Sequence, residues 1–415
     1  MILKNIKLRA PDLVRMIPDE ELSRLAIETK VDYYSKVLRG ERMFNLLLYA
    51  FVNTDRVSQR RLEVMFNSQQ FKTMFNYAEG LNVSRSSISA RLSKMSVAFF
   101  EKAYGLIYGR LSELYTEREI GQMCLIRVDS SMVAEACNKL KKGFTVGSKA
   151  KGREDRKQVK YTMAFDGFAA KVFDEPKYLS EDMAMPAVLD TLIKSDARHR
   201  NLYVLDRGLA SSSSFEMMSA LEAKFVGRIK TNRKLEVVRT LMDGKTDKDL
   251  GKLELVDDIE VHLYTKAHEK TERTFRVVKA RFKIPRDTTR PANKGKVKRV
   301  ENDIYFITND FSLTPKEVAE AYRRRWDIEV FFRFLKQELN FSHFLSVSEN
   351  GIKIILYMTL VTAMLIMIYK RENGLGYDMA KFCFRTEMND WVTALAVYFS
   401  GGDVESFTSR YHIRV

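Results

Sequence analysis

The sequence predicts a mixed α/β fold in the middle of the chain, with helical regions at both ends. Between about residues 121 and 230, short apolar runs alternate with segments of helical periodicity. From about 231 to 300, apolar and polar residues alternate as they do in strands. Residues 1–120 and 346–415 have apolar residues at helical spacing instead. Strands followed by alternating helices and strands are typical of layered α/β folds.

Length and composition fit a globular chain of more than one domain. The 415 residues exceed the size of an ordinary single domain. Hydrophobic residues make up 45% of the chain and charged residues 30%, a balance that excludes wholesale disorder. We expect a helical region over 1–120, an α/β core over 121–345 that contains a β-rich insertion at about 231–300, and a helical C-terminal region over 346–415.

The N-terminal region contains a stretch that resembles a helix-turn-helix, residues 77–95. Gly80 suits the turn and Ser84 suits a helix N-cap. The residues predicted to be buried are Ile88, Leu92 and Met95. We expect Arg85 and Arg91 to face outward and contact DNA. The alternative is an ordinary helix pair in a bundle.

In the middle region, the apolar run around Asp129 reads as a buried strand, and a second such strand ends at Asp206. A strand pair is predicted around the turn Asp166-Gly167. A carboxylate within an apolar strand is energetically costly unless it is paired or binds a metal ion. Ligands of α/β sheets bind where strands end, which favours Asp206 as a site residue. A simple turn aspartate is the alternative for Asp206.

A long helix is predicted to start at Pro315, with Thr314 as its N-cap, and to run to about residue 339. At 100° per residue, four polar side chains would share one stripe about 60° wide. They are Tyr322, Arg325, Glu329 and Lys336. The alternative is a solvated helix face with ordinary ion pairs.

Three carboxylates from two strands and one helix suit a hard divalent cation such as Mg²⁺. Two such ions can clamp the attacking and leaving oxygens of a phosphoryl transfer. The chain has only 5 histidines, and none lies near these carboxylates in sequence, which disfavours a zinc hydrolase or a Ser-His-Asp site. Since G-x-G-x-x-G and P-loop motifs are absent, we expect no nucleotide cofactor.

The segment AYRRRWDIEVFFRFLK fits the Y-x2-R-x3-E-x6-K signature, and in this respect the chain resembles DDE transposases of bacterial insertion sequences, above all the insertion-sequence-four family. DSS after an apolar strand resembles the family's first aspartate motif, and YVLDRG resembles the second. The resemblance covers about residues 120–345.

This resemblance implies a ribonuclease-H-like core whose metal ligands and catalytic residues are Asp129, Asp206 and Glu329. It implies two Mg²⁺ ions, with Mn²⁺ able to substitute, and phosphate contacts from Tyr322, Arg325 and Lys336. It also implies a transposase that cuts double-stranded DNA at terminal inverted repeats and joins the 3′-OH ends to target DNA. A homodimer on DNA and a bacterial cytoplasmic location follow from the same resemblance.

Some relatives form a DNA hairpin and trap a flipped base with a tryptophan in the insertion. This chain has only Trp326 and Trp391, both outside that segment. Tyr264, Tyr305 or Phe306 are the candidates to take that place by stacking.

Two basic stretches nearly account for the net charge of +16. Residues 139–160 hold nine Lys/Arg against Glu154 and Asp155, and residues 279–299 hold nine against Asp287. Such a surplus favours a polyanionic partner, nucleic acid before membrane. The candidate DNA contacts in the second stretch are Lys294, Lys296, Lys298 and Arg299.

Other sequence features narrow the class of protein. Cys124, Cys137 and Cys383 form neither zinc spacing nor a disulfide framework, which favours a reducing cytosol. The apolar stretch 354–369 is short for a membrane span, so we expect a buried helix and no membrane partner. Two rival functions remain, a metal nuclease of the same fold without strand transfer and a DNA-binding protein without catalysis.

Overall fold

The structure is a computed structural model, and it describes residues 7–17, 19–33, 35–132, 144–145, 157–158, 160–173, 181–196, 200–207, 211–243, 246–265, 268–287, 300–339, 341 and 345–411. The chain forms two compact units. The helical unit comprises Met1–Thr116, Met132–Lys160 and Phe331–Val415, and the sheet unit comprises Glu117–Ser131 and Tyr161–Val330. The three-region division expected from the sequence stays a prediction.

The helical unit is built around one long apolar helix. The N-terminal helices are α1 (Ala10–Arg15), α2 (Asp19–Glu28), α3 (Gly40–Asn53), α4 (Gln59–Asn67), α5 (Gln69–Met74), α6 (Arg85–Lys94) and α7 (Val97–Tyr115). The C-terminal helices are α12 (Glu349–Glu372), α13 (Tyr377–Phe399) and α14 (Val404–Tyr411). Helix α12 packs against α3, α6, α7 and α13.

Helix α12 is long and apolar enough to cross a membrane, but 83% of its apolar window is buried inside the protein. Every residue from 354 to 369 except Tyr357 is buried. The predicted buried helix over this stretch is therefore confirmed.

The stretch that resembles a helix-turn-helix contains α6. Ser84 caps this helix by accepting a hydrogen bond from the Ser87 backbone N–H, as predicted. Burial of Ile88, Leu92 and Met95 is also confirmed. The expected outward orientation holds for Arg85, whose residue is exposed.

The expected outward orientation of Arg91 is wrong. Its Nε donates to the Leu38 carbonyl at 2.7 Å, and its Nη2 donates to the Val31 carbonyl and lies 3.5 Å from the Asp32 carboxylate. Only 15% of the side chain is exposed. The helical period alone put Arg91 on the outer face, but its long side chain reaches the carbonyls of Val31 and Leu38 in the segment between α2 and α3.

In the described chain, the sheet unit contains one nine-stranded mixed sheet, in the order β5-β4-β1-β6-β7-β11-β10-β9-β8. Its strands are β1 (Cys124–Met132), β4 (Lys160–Phe165), β5 (Ala170–Phe173), β6 (Asn201–Leu205), β7 (Lys224–Ile229), β8 (Leu235–Thr240), β9 (Leu253–Leu263), β10 (Phe275–Asp287) and β11 (Val300–Thr308). The short strands β2 (Phe144–Thr145) and β3 (Lys157–Gln158) pair separately. Strands β1, β6 and β7 are parallel neighbours.

Most elements predicted for the middle region are confirmed. Strands β4 and β5 form the predicted antiparallel hairpin. Gly167 has a φ of +106°, a conformation that glycine adopts without strain. The predicted helices appear as α8 (Glu181–Ser195) and α9 (Ser212–Ala220), and Ser211 caps α9.

The segment expected as a β-rich insertion holds β8, β9 and β10, which extend the main sheet. Strand β10 pairs with β11, and β11 pairs with β7, so the hydrogen bonds run without a break into the parallel strands. Whether the segment is an insertion stays a prediction.

The two faces of the sheet bury separate apolar clusters, because successive side chains of a strand point to opposite faces. On one face, Val128, Tyr203 and Leu205 pack with residues of α8 and α9. On the other face, Leu125, Leu202 and Val204 pack with Val318, Ala319 and Ala321 of α10 (Pro315–Arg323). Helix α10 therefore covers the sheet face to which residues 125, 127 and 129 of β1 project.

Helix α10 begins as predicted, with a capping box between Thr314 and Glu317. The expected single helix to residue 339 is wrong, because the chain turns at Arg324 and Arg325 before α11 (Trp326–Glu338) begins. Around this turn the backbone bonds span three residues instead of four, from Arg325 N to Tyr322 O at 3.0 Å and from Asp327 N to Arg324 O at 3.1 Å. The stripe calculated for a continuous helix therefore does not apply.

Candidate active site

The parallel strands place Asp129 and Asp206 at equivalent positions of neighbouring strands. Strands β1 and β6 pair with Val128 opposite Leu205, an offset of 205 − 128 = 77 residues. Asp129 and Asp206 come next along each strand and have the same offset, 206 − 129 = 77. Since they also share the sheet face that α10 covers, their side chains emerge side by side.

The guanidinium of Arg325 lies among all three predicted carboxylates. Its Nη1 is 3.7 Å from Asp129 Oδ2, and its Nε is 3.6 Å from Asp206 Oδ1. Its Nη2 forms an ion pair with Glu329 Oε1. The structure therefore brings Asp129, Asp206 and Glu329 around one cation, and they come from two strands and one helix as predicted.

The exposed fractions show a site that is open on one side. The side chain of Arg325 is 13% exposed and that of Asp129 is 18%, whereas Asp206 is 42% exposed. Burial alone would lower the pKa of Arg325, but Asp206 and Glu329 outweigh it and the pKa is raised. The cation therefore stays charged while it neutralises part of the acidic cluster.

Tyr322 lies at the same cluster. Its hydroxyl donates to Asp206 Oδ1 at 3.5 Å, and its ring packs against Phe306 at a centroid distance of 5.3 Å. Burial and the negative charge of Asp206 raise the pKa of Tyr322 to about 12, so the phenol keeps its proton at neutral pH. Phe306 is 1% exposed, which makes it unsuited to stack on a flipped base.

The structure does not relate the other predicted site residues to this cluster. Lys336 lies in the last turn of α11, in the part of the helix that belongs to the helical unit. Arg85 and Arg91 also belong to that unit. The predicted contacts Lys294, Lys296, Lys298 and Arg299 lie outside the described residues.

The described part of the second basic stretch is largely paired with carboxylates. Lys279 lies 2.9 Å from Asp257, Arg281 lies 2.8 Å from Asp303, and Lys283 lies 2.8 Å from Asp249. The net charge counted along the sequence therefore overstates the positive charge of this part, because the acidic partners come from neighbouring strands and loops. The first stretch lies almost wholly outside the described residues.

Sequence reasoning missed two arginines next to the site. Arg127 precedes Asp129 by two residues on the same face of β1 and is 1% exposed. Arg228 of β7 projects to the same sheet face as Val226, and its charge acts on Tyr322. The signal for each was present in the sequence as a cation within an otherwise apolar strand.

The chemistry of the donors fits a divalent cation, because Asp129, Asp206 and Glu329 are carboxylates that face the same point. Their spacing in this structure is that of three partners of a guanidinium. In the described part of the chain, no three His, Cys, Asp or Glu side chains are close enough together to hold a metal ion. The Arg325 guanidinium lies between them instead. The residues thus supply the oxygen ligands that Mg²⁺ prefers, in an arrangement where a protein cation partly neutralises them.

Comparisons with known proteins show to which family the chain belongs. Residues 121–365, more than half of the chain, match the family model described as the transposase DDE domain. A Sinorhizobium fredii protein named as a transposase is 25% identical over 70% of this chain and 72% of its own length. A Synechocystis protein named as a transposase for an insertion sequence element is 25% identical over 47% of this chain and 51% of its own length.

A Geobacillus stearothermophilus protein, also named as a transposase for an insertion sequence element, is 28% identical over 23% of this chain and 27% of its own length. Among solved structures, a piggyBac transposase in a synaptic complex with hairpin DNA has a TM-score of 0.45 and 10% identity. That likeness covers 94% of this chain and 81% of the other. The family match over residues 121–365 includes all three carboxylates, and the chain therefore belongs to the transposase DDE-domain family, as a transposase of an insertion sequence.

Proposed function

We propose that this transposase cuts phosphodiester bonds at the terminal inverted repeats of its element and joins the freed 3′-OH ends to target DNA, with two Mg²⁺ ions in a ribonuclease-H-like core. The observation that carries the proposal is the convergence of three carboxylates on the Arg325 guanidinium. Binding of DNA alone requires no cluster of partly buried carboxylates, so this observation favours catalysis over a purely DNA-binding protein.

Asp129, Asp206 and Glu329 would hold the ions through their oxygens. Bound Mg²⁺ would activate the attacking oxygen and stabilise the negative charge on the leaving oxygen. The two aspartates are fixed by neighbouring strands, whereas Glu329 comes from α11, so the third ligand depends on how the turn at residues 324–325 is held. The phenol of Tyr322 stays neutral and can donate a hydrogen bond to Asp206 or to a phosphate oxygen.

Arg325 has two roles in this proposal. Without metal it neutralises part of the charge of three carboxylates, which would otherwise repel one another. With metal and DNA present, its guanidinium would turn to a phosphate near the cut, since a guanidinium binds phosphate oxygens in a bidentate manner. Lys336 is proposed as a second phosphate contact.

The direct test of this function uses the DNA that flanks the gene on both sides. Labelled flanking DNA is incubated with the protein, Mg²⁺ and a target plasmid, and nicked, excised and joined products are separated. We expect nicking at the element ends followed by joined products. Nicking without joining would support the rival metal nuclease, and binding without nicking would support the DNA-binding protein.

Binding to flanking DNA is expected to weaken steeply with salt. Each phosphate contact releases counterions, with a slope of about −0.9 per contact in a plot of log affinity against log salt. Replacing Lys294, Lys296, Lys298 and Arg299 together with Gln should flatten this slope by about 3 to 4. The matched control is Lys279→Gln, because Lys279 already pairs with Asp257. An unchanged slope in the fourfold variant would mean that this segment does not contact phosphates.

Arg85 and Arg91 should differ in what their replacement does. Arg85→Ala is expected to reduce discrimination between flanking and random DNA several-fold, because Arg85 is exposed at the start of α6. Arg91→Ala is expected mainly to lower the melting temperature, since it removes bonds to two buried carbonyls. Competition binding and thermal unfolding measure the two effects. Equal losses for both DNAs with Arg85→Ala would make this residue a phosphate contact.

A homodimer on DNA and a bacterial cytoplasmic location belong to the same proposal. Transposition requires two element ends to be processed together, which favours a complex of two protein copies. Light scattering of the protein with and without flanking DNA measures the number of copies.

A further inference from the structure

Arg127 is the buried cation closest in sequence to the first catalytic aspartate. It lies on β1 two residues before Asp129, so both side chains project to the sheet face covered by α10. The residue is 1% exposed, in a position where an arginine needs a full set of partners.

All five N–H groups of Arg127 have an acceptor. Nε donates to the Arg324 carbonyl at 3.1 Å. Nη1 donates to Glu119 at 2.7 Å and to the Leu125 carbonyl at 2.9 Å. Nη2 donates to Glu119 at 2.5 Å and to Asp327 at 3.0 Å. A planar guanidinium with every donor bonded is fixed in both position and orientation.

These bonds hold the turn between α10 and α11 at residues on both sides of Arg325. The acceptors are the carbonyl of Arg324, the residue before it, and the carboxylate of Asp327, two residues after it. The guanidinium of Arg324 also binds Glu119 at 2.6 Å, so one buried carboxylate joins both arginines. The turn that carries Arg325 and leads to Glu329 is thus tied to the strand that carries Asp129.

We propose that Arg127 is a positioning residue, which fixes the distance from Asp129 on β1 to Arg325 and Glu329 at the start of α11. This inference rests on the proposed function, since it assigns a purpose to the spacing of those carboxylates. Without Arg127, the turn at residues 324–325 loses its bonds to β1, so that Arg325 and Glu329 are no longer held at a fixed distance from Asp129.

The protein offers a matched control for a buried arginine with a purely structural role. Arg276 of β10 is 5% exposed and binds Asp258 through two bonds, at 2.9 and 2.7 Å, and also the Leu313 carbonyl. Its partners lie on the neighbouring strand β9 and before the start of α10, away from the turn at residues 324–325. Replacement of Arg276 should therefore lower stability and leave the spacing of the carboxylates unchanged.

The experiment measures Mn²⁺ binding to the full chain by electron paramagnetic resonance, alongside thermal unfolding. Arg127→Met is expected to weaken Mn²⁺ binding at least about tenfold, whereas Arg276→Met should leave it within about twofold of wild type at a similar loss of melting temperature. Arg127→Lys should recover only part of the affinity, because Lys has three donors and no planar fork.

A milder variant keeps the inference testable if Arg127→Met does not fold. Asp327→Ala removes one acceptor of Arg127, at a residue whose side chain is 48% exposed. It should weaken Mn²⁺ binding several-fold with little loss of stability. Mn²⁺ affinity at the wild-type level in Asp327→Ala and Arg127→Lys would overturn the positioning role.

Glu329→Gln separates this inference from the proposed function. If Glu329→Gln weakens Mn²⁺ binding but Arg127→Met does so no more than Arg276→Met, the metal site stands and the positioning role fails. If Glu329→Gln binds Mn²⁺ as tightly as wild type, the proposed metal site fails and the positioning role fails with it.

Discussion

Asp129→Asn, Asp206→Asn and Glu329→Gln are each expected to lower the rate of nicking by at least about 10³-fold, which corresponds to about 4 kcal/mol of transition-state stabilisation. The replacements are nearly isosteric, so packing changes little, but each removes a charge that would hold a divalent ion. Binding to flanking DNA should stay close to that of wild type. The measurement is Mg²⁺-dependent nicking of labelled flanking DNA, with gel-shift binding in parallel.

Two comparisons make this result specific. Asp303→Asn removes a carboxylate that pairs with Arg281 on the same sheet, and it should nick like wild type. Lys336→Ala should cost less than any of the three carboxylate changes, because it would remove a phosphate contact and no metal ligand. If one of the three variants nicks DNA at nearly the wild-type rate, that residue is not a metal ligand. If all three variants do so, the proposed mechanism is refuted.

Arg325→Met is expected to have the second largest effect. It should lower the rate of nicking and raise the apparent affinity for Mg²⁺. Nicking should fall, because the proposed phosphate contact of Arg325 would be lost. Apparent Mg²⁺ affinity should rise about tenfold, equivalent to about 1.4 kcal/mol, because a competing cation leaves the three carboxylates. Without Mg²⁺ the variant should be less stable than wild type, since the carboxylates then repel one another.

Thermal unfolding at increasing Mg²⁺ and constant ionic strength measures this competition, because a ligand that binds only the folded state raises the melting temperature. The rise should be larger for Arg325→Met than for wild type. Arg323→Met is the matched control. The side chain of Arg323 is 67% exposed, and its partner among the described ion pairs is Glu320. A smaller rise for Arg325→Met would mean that Arg325 helps the metal to bind and does not compete with it.

Local sequence signals predicted most of what positions the site. The apolar runs around Asp129 and before Asp206 predicted two buried strands, which the structure contains as β1 and β6. The offset of 77 residues between the aspartates equals the offset in the pairing of these strands. Thr314 and Ser84 were also predicted as N-caps, and they cap α10 and α6 in the structure. In each of these cases the determining interaction lies within a few residues of the signal.

The features that the sequence did not reveal depend on contacts between distant residues. The turn at Arg324–Arg325 interrupts a regular helical pattern. It is held by hydrogen bonds from Arg127, about 200 residues earlier in the chain. Arg91 turns inward to carbonyls about 50 to 60 residues away. The carboxylate partners of Lys279 and Arg281 lie across the sheet. Periodicity describes one element at a time and contains no information on such partners.

Locating the metal ion in the protein is the decisive test of the proposed site. Crystals of the protein with flanking DNA and Mn²⁺ would be measured at a wavelength where Mn²⁺ scatters anomalously. We expect anomalous density between Asp129, Asp206 and Glu329, with the Arg325 guanidinium turned away from the carboxylates toward a phosphate. Density at another site, or none at the three carboxylates while Arg325 stays between them, would show that Asp129, Asp206 and Glu329 do not hold the metal.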